Sequence, residues 1–438
     1  MNEAVDRYTK IIADNKAGMH QGIYSVCSAH RNVIRASMKQ AMNDDSILLV
    51  ESTSNQVNQY GGYMGMKPAE FVYYVKRIAK EVNFPSECLL LGGDHLGPNV
   101  WRQEDAGAAM DKAHELIRQY IAAGYRKIHL DCSMHLSGDR GNPHKPLADH
   151  IVAARAASLC ATAEKARQSS HRGAMEPIYV IGTEVPTPGG SRDCEEASLR
   201  LTPAAEVRQT ITAAYEAFLE QGMEAAWERV NALVVQPGAE FGDDQVFDFD
   251  PEKAQELTHA LDDIPNLVFE AHSTDFQSAA SLKALVRGHF CILKVGPLLT
   301  YAWREALFAL ADIESELLDD RKASRLKQIL EEEMLANPAY WEEYYTGDER
   351  EQLFKRMYSY SDRSRYYWPV ARLQEAVQRL FKNLRRINPP PSIYSQYLPL
   401  EYRAWRSGAL SLDPEDLAEY HVMEVLKTYA AACGMNKE

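Results

Sequence analysis

The sequence has 438 residues, 45% of them hydrophobic, and a formal net charge of −14. This composition is typical of a soluble globular protein with one large domain and an appendage, or with two to three ordinary domains. The excess of acidic residues, 62 against 48 basic ones, argues against electrostatic binding to nucleic acids. No segment approaches 18 consecutive apolar residues and the N-terminus lacks a signal-peptide core, so we expect a cytoplasmic protein without a membrane span.

The cysteines do not indicate a disulfide framework. Their number, seven, is odd, no two are spaced as C-x-x-C, and several lie within apolar segments. Free thiols in a reducing compartment are the better interpretation.

Eight short segments rich in Val, Ile and Leu follow one another over the first 296 residues, as expected for strands buried on both faces. They are Gly22–Ser28, Ile47–Glu51, Cys88–Asp94, Lys127–Cys132, Ile178–Glu184, Ala232–Gln236, Leu267–Ala271 and Ile292–Gly296. Helix-period segments lie between them, most clearly Asp105–Ala123, which Gly124 follows at a position suited to a left-handed C-cap. Other helices are predicted within residues 1–20 and over Pro68–Val82, Leu147–Gln168, Thr202–Gln221, Pro251–Leu261, Asp275–Val286 and Tyr301–Asp319.

This alternation predicts an α/β fold, a (β/α)8 TIM barrel over residues 1–320. A doubly wound open sheet is the alternative, but no G-x-G-x-x-G motif follows the first strand. Residues 321–438 are richer in aromatic and charged residues and are interrupted by Pro389–Pro391. They predict an all-α C-terminal extension, either packed on the barrel or used for association, because Tyr and Trp are common in both settings.

Polar side chains follow nearly every predicted strand. The candidates are Cys27 and Ser28, Glu51 with Asn55, Asp94 and His95, Asp131, Glu184, Gln236, Glu270 to Thr274, and Lys294 to Thr300. Because the carboxyl ends of barrel strands surround one opening, we expect these side chains to share an active-site pocket.

The donor types in this set suit a divalent metal such as Zn²⁺, with His95, Glu184, Gln236 and His272 as candidate ligands. Such a metal acts as a Lewis acid on a sugar carbonyl or hydroxyl pair. The candidate catalytic carboxylates are Asp94, as the proton-transfer group, and Glu270 and Asp131. In the alternative interpretation, the two histidines only form hydrogen bonds within the opening. The other histidines, His129 among them, are interpreted as structural or surface residues.

A phosphate site is predicted where Ser273 and Thr274 follow the seventh strand and the segment from Gly296 to Thr300 begins the next helix. Backbone amides and the helix N-terminus would donate to the phosphate there. Two further candidate substrate-binding residues are Asn55 and Lys294. Lys294 could instead form a Schiff base, but pairing with Glu184 or Glu270 is the favoured interpretation.

Ten segments together resemble the Z-type subunit of D-tagatose-1,6-bisphosphate aldolase, the GatZ/KbaZ family. They are Glu51–Gln59, Gly92–Asn99, Ile128–Asp131, Ile181–Pro186, Val234–Gly238, Glu270–Asp275, Leu293–Pro297, Ser361–Arg363, Tyr366–Pro369 and Ser395–Pro399. The resemblance implies a TIM barrel that supports the activity and stability of a catalytic Y-type subunit in galactitol or N-acetylgalactosamine catabolism. Some members have been labelled tagatose-6-phosphate kinases, but this sequence has no glycine-rich loop of P-loop type.

The Y-type subunit is a zinc-dependent class II aldolase, and the resemblance extends to its site. Asp94 and His95 match its proton-transfer Asp and a zinc His, His272 matches a second zinc His, and Glu184 matches an acid after strand five. After strand six the aldolase has a third zinc His, where this chain has Gln236. Two hypotheses follow, both with an oligomer expected: an accessory aldolase subunit, or a metal-dependent tagatose or fructose 4-epimerase or aldolase-like lyase using retro-aldol chemistry.

Overall fold

The computed structural model describes residues 3–139, 146–169, 176–182 and 200–435. Eight parallel strands close into a barrel, which confirms the predicted fold class. In chain order they are β1 (Ile23–Val26), β2 (Leu48–Thr53), β3 (Leu89–Leu96), β4 (Lys127–Leu130), β5 (Ile178–Gly182), β6 (Val230–Val235), β9 (Val268–Ala271) and β10 (Phe290–Val295). A small antiparallel pair, β7 (Glu240–Phe241) and β8 (Val246–Phe247), precedes β9. Since β10 pairs with both β1 and β9, the sheet closes on itself.

Helices precede β1, connect the successive strands of the barrel and follow β10. They are α1 (Glu3–Lys16), α2 (Arg31–Asn43), α3 (Pro68–Glu81), α4 (Ala106–Ala123), α5 (Asp149–Ser169), α6 (Ala204–Glu220), α7 (Glu224–Trp227), α8 (Gln255–Thr258), α9 (Ala279–Arg287) and α10 (Pro297–Leu317). The ends of α4 follow from its sequence. The Asp105 carboxylate accepts from the Gly107 amide at the N-terminus, and Gly124 takes a φ of 101° at the C-terminus.

Two helical segments differ from the sequence predictions. The helix α2 was not predicted, because its N-cap is His30 rather than Ser, Thr, Asp or Asn and its buried stripe includes polar residues such as Ser37. The predicted helix Pro251–Leu261 forms only the single turn α8, flanked by turns. The apolar residues Leu257 and Leu261 of this segment are nevertheless buried in the hydrophobic core.

The N-terminal helix α1 closes one end of the barrel. Its residues Ala4, Tyr8 and Ile12 belong to a buried apolar cluster with residues of the barrel strands, among them Ile23 and Leu49. Ile23 and Leu49 lie in the amino-terminal halves of β1 and β2, respectively. The amino end of the barrel is therefore filled with apolar side chains, and the carboxyl end remains for a polar site.

The C-terminal segment is all-α and packs on the barrel. Its helices are α11 (Leu326–Ala336), α12 (Glu349–Tyr358), α13 (Ala371–Ile387), α14 (Pro391–Tyr397), α15 (Pro399–Arg406) and α16 (Pro414–Ala432). The last helix, α16, contacts α2, α9 and α10 of the barrel. Both segments contribute to one hydrophobic core. The division into domains at residue 320 stays a prediction. Within the described ranges, no helix has the length and apolar character needed to cross a membrane.

Candidate metal and substrate site

The strand β4 shows how the sequence places polar groups inside the barrel. Ile128 and Leu130 point into the apolar core between the sheet and the helices. Lys127, His129 and Asp131 alternate with them and contact carboxylates and imidazoles of other strands. Because side chains of a strand alternate between its two faces, a polar residue at every second position lines the interior.

Two lysines and two glutamates form a buried charged layer. Lys127 Nζ lies 2.5 Å from Glu51 Oε1 and 2.7 Å from Glu270 Oε2. Lys294 pairs with Glu51 and lies 3.4 Å from Glu270 Oε1. Gly92 makes room for this layer, since a Cβ there would lie 2.4 Å from Glu51 Oε1. Burial disfavours the charge on Lys127, but the combined attraction of Glu270 and Glu51 outweighs it and raises the pKa of Lys127.

Lys294 is an ion-pairing residue in this arrangement. Its Nζ also lies 2.6 Å from Asp94 Oδ1. Burial opposes its charge, yet the adjacent carboxylates, Asp94 first among them, raise the pKa of Lys294 well above its usual value. A protonated amine has no lone pair for attack on a carbonyl, so the geometry favours the predicted pairing with Glu270 over a Schiff base.

Three imidazoles meet beside this charged layer. The ring centroid of His95 lies 5.1 Å from that of His129 and 4.9 Å from that of His272. His129 Nδ1 lies 3.1 Å from Asp94 Oδ1, and His272 Nε2 lies 3.0 Å from Glu270 Oε1. Each of these two histidines is therefore in contact with a carboxylate, and both carboxylates also contact Lys294.

Four of these residues fit a divalent metal. Asp94, His129, Glu270 and His272 each offer a ligand atom, and these atoms lie within 4.8 Å of one another. His129 Nε2 is buried and has no hydrogen-bond partner among the described residues. Burial lowers the pKa of His129, which favours the neutral imidazole that a metal requires. His129 Nδ1 has two neighbours, Asp94 Oδ1 at 3.1 Å and the His95 amide at 3.3 Å. The tautomer that donates from Nδ1 to Asp94 leaves the Nε2 lone pair for an ion.

His95 lies next to this group in a constrained backbone conformation. Its φ is 47°, in the left-handed region that residues other than glycine seldom adopt. Its Nδ1 lies 3.1 Å from Asp131 Oδ2, and Asp131 Oδ1 accepts bonds from the amide and hydroxyl of Ser133. The Asp131 carboxylate is almost fully buried and orients the His95 ring. The next turn requires Gly97, where a Cβ would lie 1.7 Å from the Asp131 carbonyl oxygen.

The cluster borders a cavity of about 710 Å³, within the size range of small-molecule sites. Among the polar residues proposed from sequence, those that line it are Cys27, Ser28, Asn55, Asp94, His95, His272, Ser273, Lys294, Gly296 and Thr300. Glu270 is fully buried and does not line the cavity. Glu270 lies beneath the opening, where its carboxylate contacts His272, Lys127 and Lys294.

The predicted phosphate-binding groups are mostly engaged by the protein itself. The Thr274 hydroxyl donates to the Lys294 carbonyl at 2.6 Å, and the Thr300 hydroxyl donates to Asp362 Oδ2 at 2.6 Å. At the N-terminus of α10, the Gly296 amide donates to Asp275 Oδ1 at 3.0 Å, and the Leu298 amide donates to the same atom at 2.8 Å. Burial raises the pKa of Asp275 to about 6. A carboxyl group thus already caps this helix.

Of the four predicted metal ligands, His272 belongs to the four-residue group, and His95 lies beside it with its ring centroid 4.9 Å from that of His272. Gln236 is buried at the end of β6, and its Oε1 accepts from the Gly238 amide at 2.8 Å. The Gln236 side chain therefore forms a hydrogen bond within its own loop. Glu184 lies outside the described residues. Whether these two residues ligate a metal stays a prediction.

His129 is the residue of the four-residue group that the sequence interpretation missed. It was grouped with the structural histidines because it lies within a strand and not at a strand end. The signal that could have identified it is the two-residue spacing of Lys127, His129 and Asp131, which places all three on one face. Polar residues at consecutive interior positions of a barrel strand indicate a site rather than packing.

The fold and these contacts define a class: a (β/α)8-barrel protein with a buried Asp–His–Glu–His group that could hold a metal at the carboxyl end of its strands. Residues 8–434 match the model of the family described as D-tagatose-1,6-bisphosphate aldolase subunit GatZ/KbaZ-like. The chain belongs to this family.

Solved structures agree with this assignment. The chain is similar to a probable tagatose 6 phosphate kinase from Sinorhizobium meliloti 1021, with 42% identity, a TM-score of 0.86 and coverage of 94% of this chain and 100% of that one. The YdjI aldolase from Escherichia coli K12 aligns with 10% identity and a TM-score of 0.41 over 87% of this chain and 96% of that one. A fructose-bisphosphate aldolase from Campylobacter jejuni aligns with 14% identity and a TM-score of 0.45 over 89% and 97%. These last two similarities are too low to carry an argument.

Proposed function

We propose that this chain carries out metal-dependent retro-aldol chemistry on a ketose or ketose phosphate in its own barrel pocket. The observation that carries this proposal is the group of Asp94, His129, Glu270 and His272, which lies beside a cavity of about 710 Å³. The family, described as a D-tagatose-1,6-bisphosphate aldolase subunit, supports a ketose as the substrate class. Cleavage of the C3–C4 bond is an aldolase reaction, and re-closure on the opposite face makes the same site a 4-epimerase.

Each residue of the group has a proposed role. His129, His272 and Glu270 would hold the ion, for which we propose zinc because the donors are nitrogen and oxygen atoms. When bound, the ion would supply a Lewis acid that polarises the ketose carbonyl. Asp94 lines the cavity and is proposed to take the C4 hydroxyl proton as the C3–C4 bond breaks. Asp131 keeps the His95 ring oriented at the edge of the site.

The purified full-length chain is expected to contain a divalent metal and to turn over a ketohexose or its phosphate. Metal content would be measured by elemental analysis, and cleavage or C4 inversion of tagatose, fructose and their phosphates would be followed by NMR. A chelator is expected to abolish turnover, and added zinc to restore it, because the Lewis acid is lost and regained. Metal-replete protein that converts none of these sugars would contradict the proposal.

A second role is favoured by the family description, which names a subunit. In this role the chain associates with a catalytic Y-type tagatose-bisphosphate aldolase subunit in the cytoplasm and supports its activity and stability in galactitol or N-acetylgalactosamine catabolism. The two roles are compatible, because the pocket lies at one end of the barrel and leaves the outer helices available for contact.

Co-expression of the two chains tests the subunit role. We expect them to elute together from a size-exclusion column, and the Y-type subunit to melt at a higher temperature in the complex, since a partner that binds only the folded state stabilises it. A His272→Ala variant, altered only inside the pocket, is expected to stabilise the partner equally well. Separate elution at micromolar concentrations would count against this role.

A further inference from the structure

The C-terminal segment contributes side chains to the pocket of the barrel. Arg365 and Tyr366 lie between α12 and α13, yet they line the same cavity as Asp94 and His272. The ring of Tyr366 packs edge-on against Tyr63, which follows β2, with centroids 4.9 Å apart. The pocket is therefore built from both parts of the chain.

Arg365 forms no direct ion pair with a carboxylate of the described residues, and the nearest ones, Asp362 and Asp275, act on its charge only from a distance. One terminal nitrogen donates to the carbonyl oxygens of Ser361 and Asp362, and the other lies 2.9 Å from the Tyr366 hydroxyl. The nearby Asp362 carboxylate is engaged elsewhere, with Thr300 at 2.6 Å and Arg304 at 2.9 Å. A half-buried cation without a directly paired carboxylate is costly, and such a cation facing a cavity is expected where a ligand supplies the negative charge.

The other long-chain cations of the cavity are already paired. Lys294 contacts Asp94 and two glutamates, and Arg31 forms an ion pair with Glu81. The N-terminus of α10, the other predicted anion site, is capped by Asp275. Among the lysines and arginines described as lining the cavity, Arg365 is therefore the one available to bind an anionic ligand.

We propose that Arg365 recognises the anionic group of the substrate, a phosphate or a carboxylate, and so sets the specificity of the site for charged over neutral ketoses. The inference rests on the proposed function, because it assumes a ketose substrate. A guanidinium group suits both anions, since its planar fork donates two parallel hydrogen bonds. Asn55, Gln56 and Tyr63 line the same cavity and supply further polar groups for the sugar.

Binding measurements test this separately from turnover. Calorimetric titrations of D-tagatose, D-tagatose 6-phosphate, a hexuronate and inorganic phosphate would be performed on the wild type, Arg365→Gln and Arg365→Lys. The control is Arg31→Gln, a second arginine of the cavity that is already paired with Glu81. Thermal unfolding of each variant would show whether loss of the bonds to Ser361 and Asp362 disturbs the fold.

The wild type is expected to bind a charged ligand about 10- to 100-fold more tightly than D-tagatose, as one charge-assisted contact allows. Arg365→Gln should lose this preference and keep its affinity for D-tagatose, Arg365→Lys should keep part of it, and Arg31→Gln should keep all of it. The stronger of the two charged sugars identifies the anion as phosphate or carboxylate.

Two outcomes would overturn the inference: an unchanged preference in folded Arg365→Gln, or a wild type that binds all four probes without preference for charge. If Arg365→Gln is not folded, the comparison of Arg365→Lys with the wild type decides in the same way. Anion binding that depends on Arg365 in a protein without ketose turnover would sink the proposed function alone. Turnover of a neutral ketose that is insensitive to Arg365 would sink this inference alone.

Discussion

Replacing Lys127 by methionine is expected to lower the free energy of unfolding by about 3–5 kcal/mol. Lys127 is fully buried, and its ammonium group bridges Glu51 and Glu270. Without it, these two carboxylates remain buried with only Lys294 to neutralise them. Removing one partner of a buried ion pair is costly because the remaining charge keeps its desolvation penalty. Urea-induced unfolding of the two proteins would measure the difference.

A matched control and a double variant sharpen this prediction. Lys76→Met alters an exposed lysine of α3 and should change the free energy of unfolding by less than about 0.5 kcal/mol. The pair Lys127→Met with Glu51→Gln should be more stable than Lys127→Met alone, since it removes one of the uncompensated charges. Additive losses would show that the lysine acts through packing rather than through charge.

Most of the barrel could be predicted from the sequence because its strands are buried on both faces and so appear as short apolar segments. The ends of a helix were predictable where the caps are typical, as for α4 with Asp105 at its N-terminus and Gly124 at its C-terminus. The helix α2 escaped because its cap is a histidine and its stripe is partly polar. Pro251–Leu261 has the apolar spacing of a helix but a backbone of successive turns, and side-chain periodicity alone does not distinguish the two.

Site residues at strand ends could be predicted from the sequence, whereas those deeper in the barrel could not. Asp94, His95 and His272 stand where a buried segment stops, and each lines the cavity. His129 lies one layer deeper and was assigned to structure. The layer to which a residue belongs depends on the stagger between neighbouring strands, such as the shift between β3 and β4 after Gly93, and a single sequence does not contain that register.

The same limit applied to the phosphate site. Gly296 before a helix is a pattern typical of anion binding. The pattern does not reveal that the carboxylate of Asp275, twenty-one residues earlier in the chain, accepts from the amides of Gly296 and Leu298 at this helix N-terminus. Nor does it tell that Arg365, from a segment predicted as a separate extension, faces the cavity. Contacts between residues far apart in the sequence arise only when the chain is folded.

Replacing His129 by alanine is expected to remove the bound metal and to lower turnover by about 100-fold or more. The buried Nε2 of this residue has no hydrogen-bond partner among the described residues, so it is the atom of the four-residue group that is best placed to bind a metal. Losing even an outer-shell partner of a metal ligand typically costs 10- to 100-fold in affinity or activity. Metal per folded chain would be measured by elemental analysis after gel filtration, together with ketose turnover.

The control for His129→Ala is His259→Ala, which alters an exposed histidine that pairs with Asp262 on the protein surface. It should retain both metal and turnover. If His129 were only a packing residue, its alanine variant would lose stability, as a truncated core side chain does, while each folded molecule kept its metal. A folded, metal-replete and active His129→Ala variant would therefore return His129 to the structural role that its position within a strand first suggested, and would leave Asp94, Glu270 and His272 with His95 as the set to test next.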